Sequence, residues 1–324
     1  MNMKLRNILL LCIVVLGVAA VSCKKDEETE SKPSLGGLYF DVIPYLRVGQ
    51  SVTITPTRVT HPDGKGVGYY WLLDSEARDT VKYESDPDTK DISKTFTFAE
   101  EGVHAIYCAA FADGYYNTTY SRTVRVVNPS LEGMVKGTGI SIEDPSFVDT
   151  RSGAASENTY YYTHIGSLYW MRNNLAYKDL GVAYENAEVT SYPLGRYYSW
   201  TEARTACPAG WRLPTIAEWQ SLGTVAGDLM ADATILGEKF WEFWPQVKIT
   251  NAISLGVISA GYAMTGGSTN VFKGMGTYAT FWASDENPGN TEQGQYMYIN
   301  AEDPAVHYGQ ADKESVGFSV RCVR

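Results

Sequence analysis

Basic residues, histidine and cysteine are scarce in this chain of 324 residues, and each scarcity narrows what it can do. Lys and Arg number 27 against 37 Asp and Glu, for a formal net charge of −10, and the positive residues form no long clustered stripe. A polyanion such as DNA or RNA would be repelled, so nucleic acid is not an expected partner. The four histidines, His61, His104, His164 and His307, lie far apart without metal-ligand spacing and read as strand or loop surface positions. Five cysteines include no C-x-x-C pair, and H-E-x-x-H, G-x-S-x-G and P-loop patterns are missing as well. What the chain has in plenty is aromatic residues, 13% of the total with 23 Tyr and 8 Trp, ample for well-packed cores in two ordinary domains.

The N-terminus carries an address. Lys4 and Arg6 precede an apolar run from Ile8 to Val21, too short for a stable spanning helix and suited to a secretory leader. The run ends in "AAVSC", which resembles a bacterial lipoprotein cleavage site, so residues 1–22 are expected to be removed and Cys23 to take the lipid. Residues 23–35 begin "CKKDEETESKPS", a charged tether with almost nothing to bury. A Lys followed by acidic residues after the lipidated Cys resembles the export signal of surface lipoproteins in Bacteroidetes-type outer membranes. The expected location is therefore the outer membrane, held by the lipid anchor only, with the chain exposed at the cell surface and monomeric.

Residues 36–128 alternate apolar and polar positions in short runs: "SVTITPTR", "GYYWLLD", "SKTFTFA", "VHAIYCAAFAD" and "YSRTVRVV", bounded by Gly, Pro, Asp and Asn. About seven strands with no helical period predict an antiparallel β-sandwich. The order of cues resembles a PKD or immunoglobulin-like module with Trp71 as its core Trp. Cys108 has no partner in the early strand and is expected to be a buried free thiol. "DGYYNTTY" (113–120) reads as a hairpin turn flanked by Tyr.

After a linker at 128–134 the composition changes to short strands, a few helices and many Gly, Trp and Asn. "SWTEARTAC" offers Ser199 as N-cap with Glu202 three residues on, and "TIAEWQSL" offers Thr215 with Glu218, so two capping boxes start two short helices. "PAGWRLP" must turn the chain between them, with Trp211 and Leu213 as core anchors and Pro214 holding the residue before it extended. Glu218 then has a complete structural explanation.

"LYWMRNNLAY", "GRYYSWTEARTACPAGWRLPTIAEWQSL", "GYAMTGG", "FWASDE" and "GFSVRCVR" together resemble the successive signatures of the Fibrobacter succinogenes major paralogous domain, across residues 131–324. That resemblance implies an α+β, C-type-lectin-like fold, so the expected fold class is two-domain: an all-β sandwich followed by an α+β domain. Of Cys108, Cys207 and Cys322, an oxidising envelope permits one disulfide, and Cys207 with Cys322 is the expected pair because both lie in the second domain. In a C-type-lectin-like fold the last strand returns near the helices, which makes such a staple reasonable. The "GWRLPT.AEW" corner is also similar to one in formylglycine-generating enzymes, which use two late reactive cysteines. Here only Cys322 lies late, so that activity is not expected.

Two carboxylate pairs, Glu143 with Asp144 and Glu302 with Asp303, are better explained by Asp-Pro turns than by glycoside hydrolysis. C-type lectins hold Ca²⁺ through side-chain oxygens in a long loop. The corresponding region, "WASDENPGNTEQGQYMY" (282–298), holds Asp285, Glu286, Asn287, Asn290 and Glu292 but lacks the lectins' E-P-N, Q-P-D and W-N-D motifs. A plain loop is the favoured reading, and Ca²⁺ at Asp285, Glu286 and Asn287 is the alternative; no other cofactor is expected. Trp282, Tyr296, Tyr298, Trp241 and Trp244 could stack on sugar faces or pack inside. Trp282, Asp285, Glu286, Asn287, Asn290 and Tyr296 are the candidate ligand-binding set. The expected function is a non-catalytic binding or adhesion module for an extracellular glycan or surface protein. A polysaccharide-capture lipoprotein of a nutrient-uptake system and a pilus-associated accessory protein are the alternatives.

Overall fold

The computed structural model describes residues 32–81, 91–130, 133–151, 158–241 and 247–324. The leader, Cys23, most of the tether and Trp244 lie outside those residues. The chain is β-rich with a few short helices. Among the described residues no helix is long and apolar enough to cross a membrane.

Seven strands come first: β1 (Tyr45–Arg47), β2 (Ser51–Ile54), β3 (Gly68–Leu73), β4 (Glu76–Val81), β5 (Lys94–Thr97), β6 (Gly102–Phe111) and β7 (Thr118–Val127). They form a five-stranded sheet in the order β1-β7-β6-β3-β4 and a two-stranded ribbon of β2 and β5. The ribbon shows why alternation was a sound guide. Ile54 and Phe96 turn inward, while Ser51, Thr53 and Thr55 meet Thr97, Thr95 and Ser93 outside, hydroxyl to hydroxyl at 2.7–2.8 Å. Both sheets feed one apolar cluster, in which the Trp71 ring lies 5.5 Å from Phe40 and 5.7 Å from Phe96. One pairing departs from the antiparallel expectation: β1 runs parallel to β7, with Leu46 opposite Val126. The amide of Arg125 reaches back to the Pro44 carbonyl at 2.8 Å, so the chain enters this sheet at its edge instead of folding as a hairpin.

Cys108 is buried and free, and burial pushes its thiol up to about 12. At neutral pH it is an inert core side chain.

From Val135 the elements shorten. β8 (Val135–Lys136), β9 (Ser146–Val148), β10 (Thr159–Ile165), β11 (Leu168–Met171) and β12 (Val182–Ala183) lead to α1 (Ser191–Leu194), β13 (Arg196–Tyr197) and α2 (Trp200–Ala206). Next come α3 (Ile216–Ser221), α4 (Ala226–Leu229), β14 (Thr234–Ile235), β15 (Glu238–Lys239), β16 (Tyr262–Met264) and β17 (Val271–Lys273). The last four are β18 (Tyr278–Asn287), β19 (Asn290–Asn300), β20 (Val306–Asp312) and β21 (Val316–Gly317). The long strands β18, β19 and β20 make one antiparallel sheet. One face of it, through Phe281, Met297 and Ile299, packs on the largest apolar cluster; the other, through Trp282, packs on a second. Apolar packing is largely separate in the two halves: one cluster is confined to residues 35–126, and Tyr45 and Val127 are the residues that cross into the packing of the rest.

Both capping boxes are present. The Ser199 hydroxyl accepts from the Glu202 amide at 3.2 Å, and the Thr215 hydroxyl from the Glu218 amide at 3.2 Å, while each glutamate bonds back to its cap's amide at 2.8 Å. A six-residue helix such as α3 could not persist alone, so its caps and its packing make it. Thr215→Ala is expected to cost about 1 kcal/mol of stability, read as a lowered urea midpoint with an unchanged slope.

Candidate ligand-binding surface

The corner at 206–222 is a structural junction. Trp211 turns back on Pro208 through a 2.9 Å amide bond, and Arg212 exchanges two backbone bonds with Val323 at 2.8 and 2.9 Å. Trp211 and Leu213 are buried. Trp219, fully buried, lies with its ring 4.9 Å from Trp170 and 5.3 Å from Phe281, and its indole N–H donates to the Trp282 carbonyl at 3.3 Å. Glu218 carries three contacts at once: its cap, and a two-armed bond from Arg212 at 2.6 and 2.8 Å. The hydrogen bond from Arg212, then the Thr215 amide, holds its carboxyl below the usual carboxylate range. A folded value below the unfolded one means that this contribution is complete above about pH 4.5 and lost as pH falls further. Glu218→Gln should therefore flatten the stability profile on the acid side of pH 4.5, measured by denaturation at stepped pH; an unchanged profile would contradict the pairing.

The predicted loop at 282–298 is a hairpin. β18 and β19 carry nearly all of it, and a bulge lies between Trp282 and Glu286. Its oxygens are already committed. The Asp285 carboxylate accepts from the Ile216 amide at 2.7 Å, at the first turn of α3. Glu286 goes the other way, to Lys313 at 2.8 Å. Asn287 bonds Gln293 and the Gly289 amide, and Asn290 accepts from the Glu292 amide at 3.1 Å. Of the residues expected for Ca²⁺, Asp285 and Glu286 are thus each bonded to a different partner and Asn287 to Gln293 and Gly289, and among the described residues no group of three His, Cys, Asp or Glu side chains is gathered for a metal. Trp282 is corrected. It is fully buried, with its ring 4.4 Å from Phe318 and its N–H bonded to the Tyr198 carbonyl at 2.7 Å, and has no face to offer a sugar. Trp241 is equally enclosed.

The remaining polar signatures serve the interior. Arg321, 1% exposed, spends its guanidinium on the Asn174 side chain at 2.9 Å and on the Leu255 and Gly256 carbonyls at 2.5 and 3.0 Å. Arg196 bonds Glu188 and Ser191 and the carbonyls of Leu180 and Gly181. Arg172 reaches Asp144 at 2.5 Å and the Gly139 carbonyl at 2.8 Å. Asp144 and Asp303 are both paired, the latter with His307 at 3.0 Å, and each sits in a turn closed on Ser141 or Asn300. Of the histidines, His61 is buried against the Tyr115 ring at 4.7 Å, unlike the surface position expected. Its Nδ1 accepts from the Asp63 amide, which accounts for it.

Three half-buried surfaces among the described residues are of interest. A cleft of about 580 Å³ lies where the two halves of the chain meet, lined by Asp41, Ile43 and Arg122 on one side and Glu185 and Asn186 on the other. Glu185 and Asn186 both take left-handed backbone, at φ 54 and 56. A cluster of Tyr162, Tyr169 and Trp211 is capped by the Arg324 guanidinium, 4.8–5.0 Å from each ring. The third is a row of rings across β16, β18, β19 and β20. Tyr278 lies 6.4 Å from Tyr262; Phe318 links Tyr262 at 6.3 Å to Tyr296 at 4.5 Å; Tyr298 lies 5.6 Å from Tyr296 and stacks on His307 at 5.0 Å. Pairing explains the row. Tyr278 opposes Asn300, Thr280 opposes Tyr298 and Trp282 opposes Tyr296, while Tyr298 opposes His307 and Tyr296 opposes Gly309, so these side chains share one face. Gly309 is required there, since a Cβ would come within 2.8 Å of the Tyr296 ring. Tyr296 was legible in the sequence as a candidate. Tyr262, Tyr278 and His307 were missed; the alternation "QYMY" was the available hint, and it covers one strand only.

The model of the Fibrobacter succinogenes major domain matches residues 163–324. The chain belongs to that family. Within the matched residues of this Fibrobacter succinogenes major domain lie the corner, its two caps and the buried arginines described above, a set of scaffold contacts. No curated protein matches the chain. Solved structures similar to part of it include a superoxide reductase (neelaredoxin) from Ignicoccus hospitalis, 11% identical over 28% of this chain and 81% of that one, with a TM-score of 0.21. The T24K form of the same protein is 9% identical over 29% and 82%, also at 0.21. Likeness at that level carries no argument about chemistry.

Proposed function

We propose that this is a lipid-anchored protein displayed outward from an outer membrane, a non-catalytic binding module for an extracellular glycan. In this reading Cys23 carries the lipid, residues 36–128 are a PKD/Ig-like spacer, and residues 131–324, of C-type-lectin-like build, hold the ligand. The observation that carries it is the placement of the ends of β7. At its start the incoming chain is tied down: the Tyr116 amide bonds the Pro33 carbonyl at 2.9 Å, and the Thr118 hydroxyl bonds the Leu35 carbonyl at 3.1 Å. At its finish Val127 leads into the linker at 128–134 and so to the second half of the chain. Ten residues of strand separate the two, about 30 Å at 3.3 Å per residue. An anchor at one end and a rigid domain at the other is the geometry of a display stalk, and binding sites gain from such a rigid support.

The test is made on intact cells. Added protease should remove the full chain, and Cys23→Ala should move it from the membrane to the soluble fraction. Full protection of the chain on intact cells would sink outward display; membrane retention of the Ala variant would sink the anchor.

A further inference from the structure

Resting on the reading of a displayed binding module, we infer that the ring row Tyr278, Tyr262, Tyr296, Tyr298 and His307 is the ligand site, and that its ligand is an uncharged polysaccharide chain. Three observations meet there. The rings are half-buried and already held, Tyr296 by Phe318 and Trp282 beneath it and Tyr298 by His307 beside it, so little side-chain freedom is left to lose on binding.

Their hydroxyls, in contrast, are free. Among the described residues no protein group bonds the hydroxyls of Tyr262, Tyr278, Tyr296 or Tyr298, whereas those of Tyr69, Tyr160, Tyr177, Tyr197 and Tyr198 are all engaged. A fixed apolar body with an open polar tip suits a pyranose, which presents a C–H face to the ring and hydroxyls at its edge.

Charge decides the class of glycan. Asp303 at the edge of the row is held by His307, among the described residues no Lys or Arg stacks on the row's rings although Lys273 lies opposite Tyr262, and the chain as a whole carries −10. An acidic polysaccharide would be repelled by the chain overall, with Lys273 at one end of the row to set against that repulsion. Tyr278 and Tyr298 sit on adjacent strands in diagonal positions, so a chain crossing the strands meets one ring after the other.

The experiment uses the detergent-solubilised full chain on native affinity gels containing galactomannan, xyloglucan or laminarin, with polygalacturonate as the acidic probe. Retardation is expected in at least one neutral gel and not in the acidic one. Tyr278→Ala and Tyr298→Ala should each weaken it about three- to tenfold, and Tyr39→Ala, an exposed ring in the other half, should leave it unchanged. Tyr298→Phe, which keeps the ring, should retain most of the affinity, and thermal melts confirm that each variant is folded. Neutral binding that survives both alanine variants overturns the ring row and leaves the binding module standing. Stronger retardation by polygalacturonate overturns the charge argument. No retardation in any gel overturns the glycan assignment altogether, while protease shaving decides display independently.

Discussion

Replacing Cys207 and Cys322 together by Ala is expected to remove about 4–5 kcal/mol of stability and to lower the melting temperature by roughly 10–20 °C. The two sulfurs are bonded across a sequence separation of 115 residues. A cross-link over so long a loop takes a large number of conformations from the unfolded chain, and that loss is the main source of its effect in the chain-entropy account. The bond also joins elements that differ in kind. Cys207 closes α2, where Arg151 holds the Ala206 carbonyl at 2.7 Å, and the Cys322 carbonyl accepts from the Met171 amide at 3.0 Å in the terminal segment. Melting curves taken with and without a phosphine reductant would show the shift directly. A change of only a degree or two would mean that the rest of the packing holds the terminus unaided.

Arg321→Met is expected to cost about 3–5 kcal/mol, although it exchanges a charge for an apolar chain of similar length. Methionine leaves the Leu255 and Gly256 carbonyls and the Asn174 oxygen without their donor, and all three are buried with it. Burial pulls the guanidinium down to about 9, which still leaves it a cation at neutral pH. No carboxylate accompanies it in these contacts, so its charge is spread over two carbonyl dipoles, one amide oxygen and the face of Phe281 at 5.3 Å. Arg321→Lys should be nearly as damaging, since a single ammonium cannot span three acceptors arranged for a fork. Asn174 also donates to the Leu194 carbonyl at 2.8 Å, so Asn174→Ala should be destabilising, and the double variant less so than the sum. Urea unfolding of the four proteins gives the coupling. Strict additivity would show that the two side chains act separately.

The site was harder to see than the scaffold, and the reason differs from residue to residue. Asp285 and Glu286 look like metal ligands because sequence counts oxygens and not their directions. In space one carboxylate serves α3 and the other Lys313. Trp282 and Tyr296 oppose each other in the hairpin, yet the first is sealed beneath Phe318 and the second is only half-buried. His307 enters the ring row only because β20 pairs with β19 in one register, and a slip by a single residue would put Tyr308 in its place.

Local signals were enough for what depends on neighbours along the chain: the alternating strands of the first half, the two capping boxes, the turn between them and the family signatures. These rest on backbone preferences and hydrogen bonds over three or four residues, which mark the elements along the chain before tertiary packing makes them persist. Only the folded chain decided which of the many tyrosines keep an open edge, which arginines are buried, and that the two carboxylates of an apparent ligand loop are spent on α3 and Lys313. Those outcomes depend on strand register and on contacts between residues far apart in the chain, such as Arg321 with Asn174, 147 positions away, where no local rule reaches.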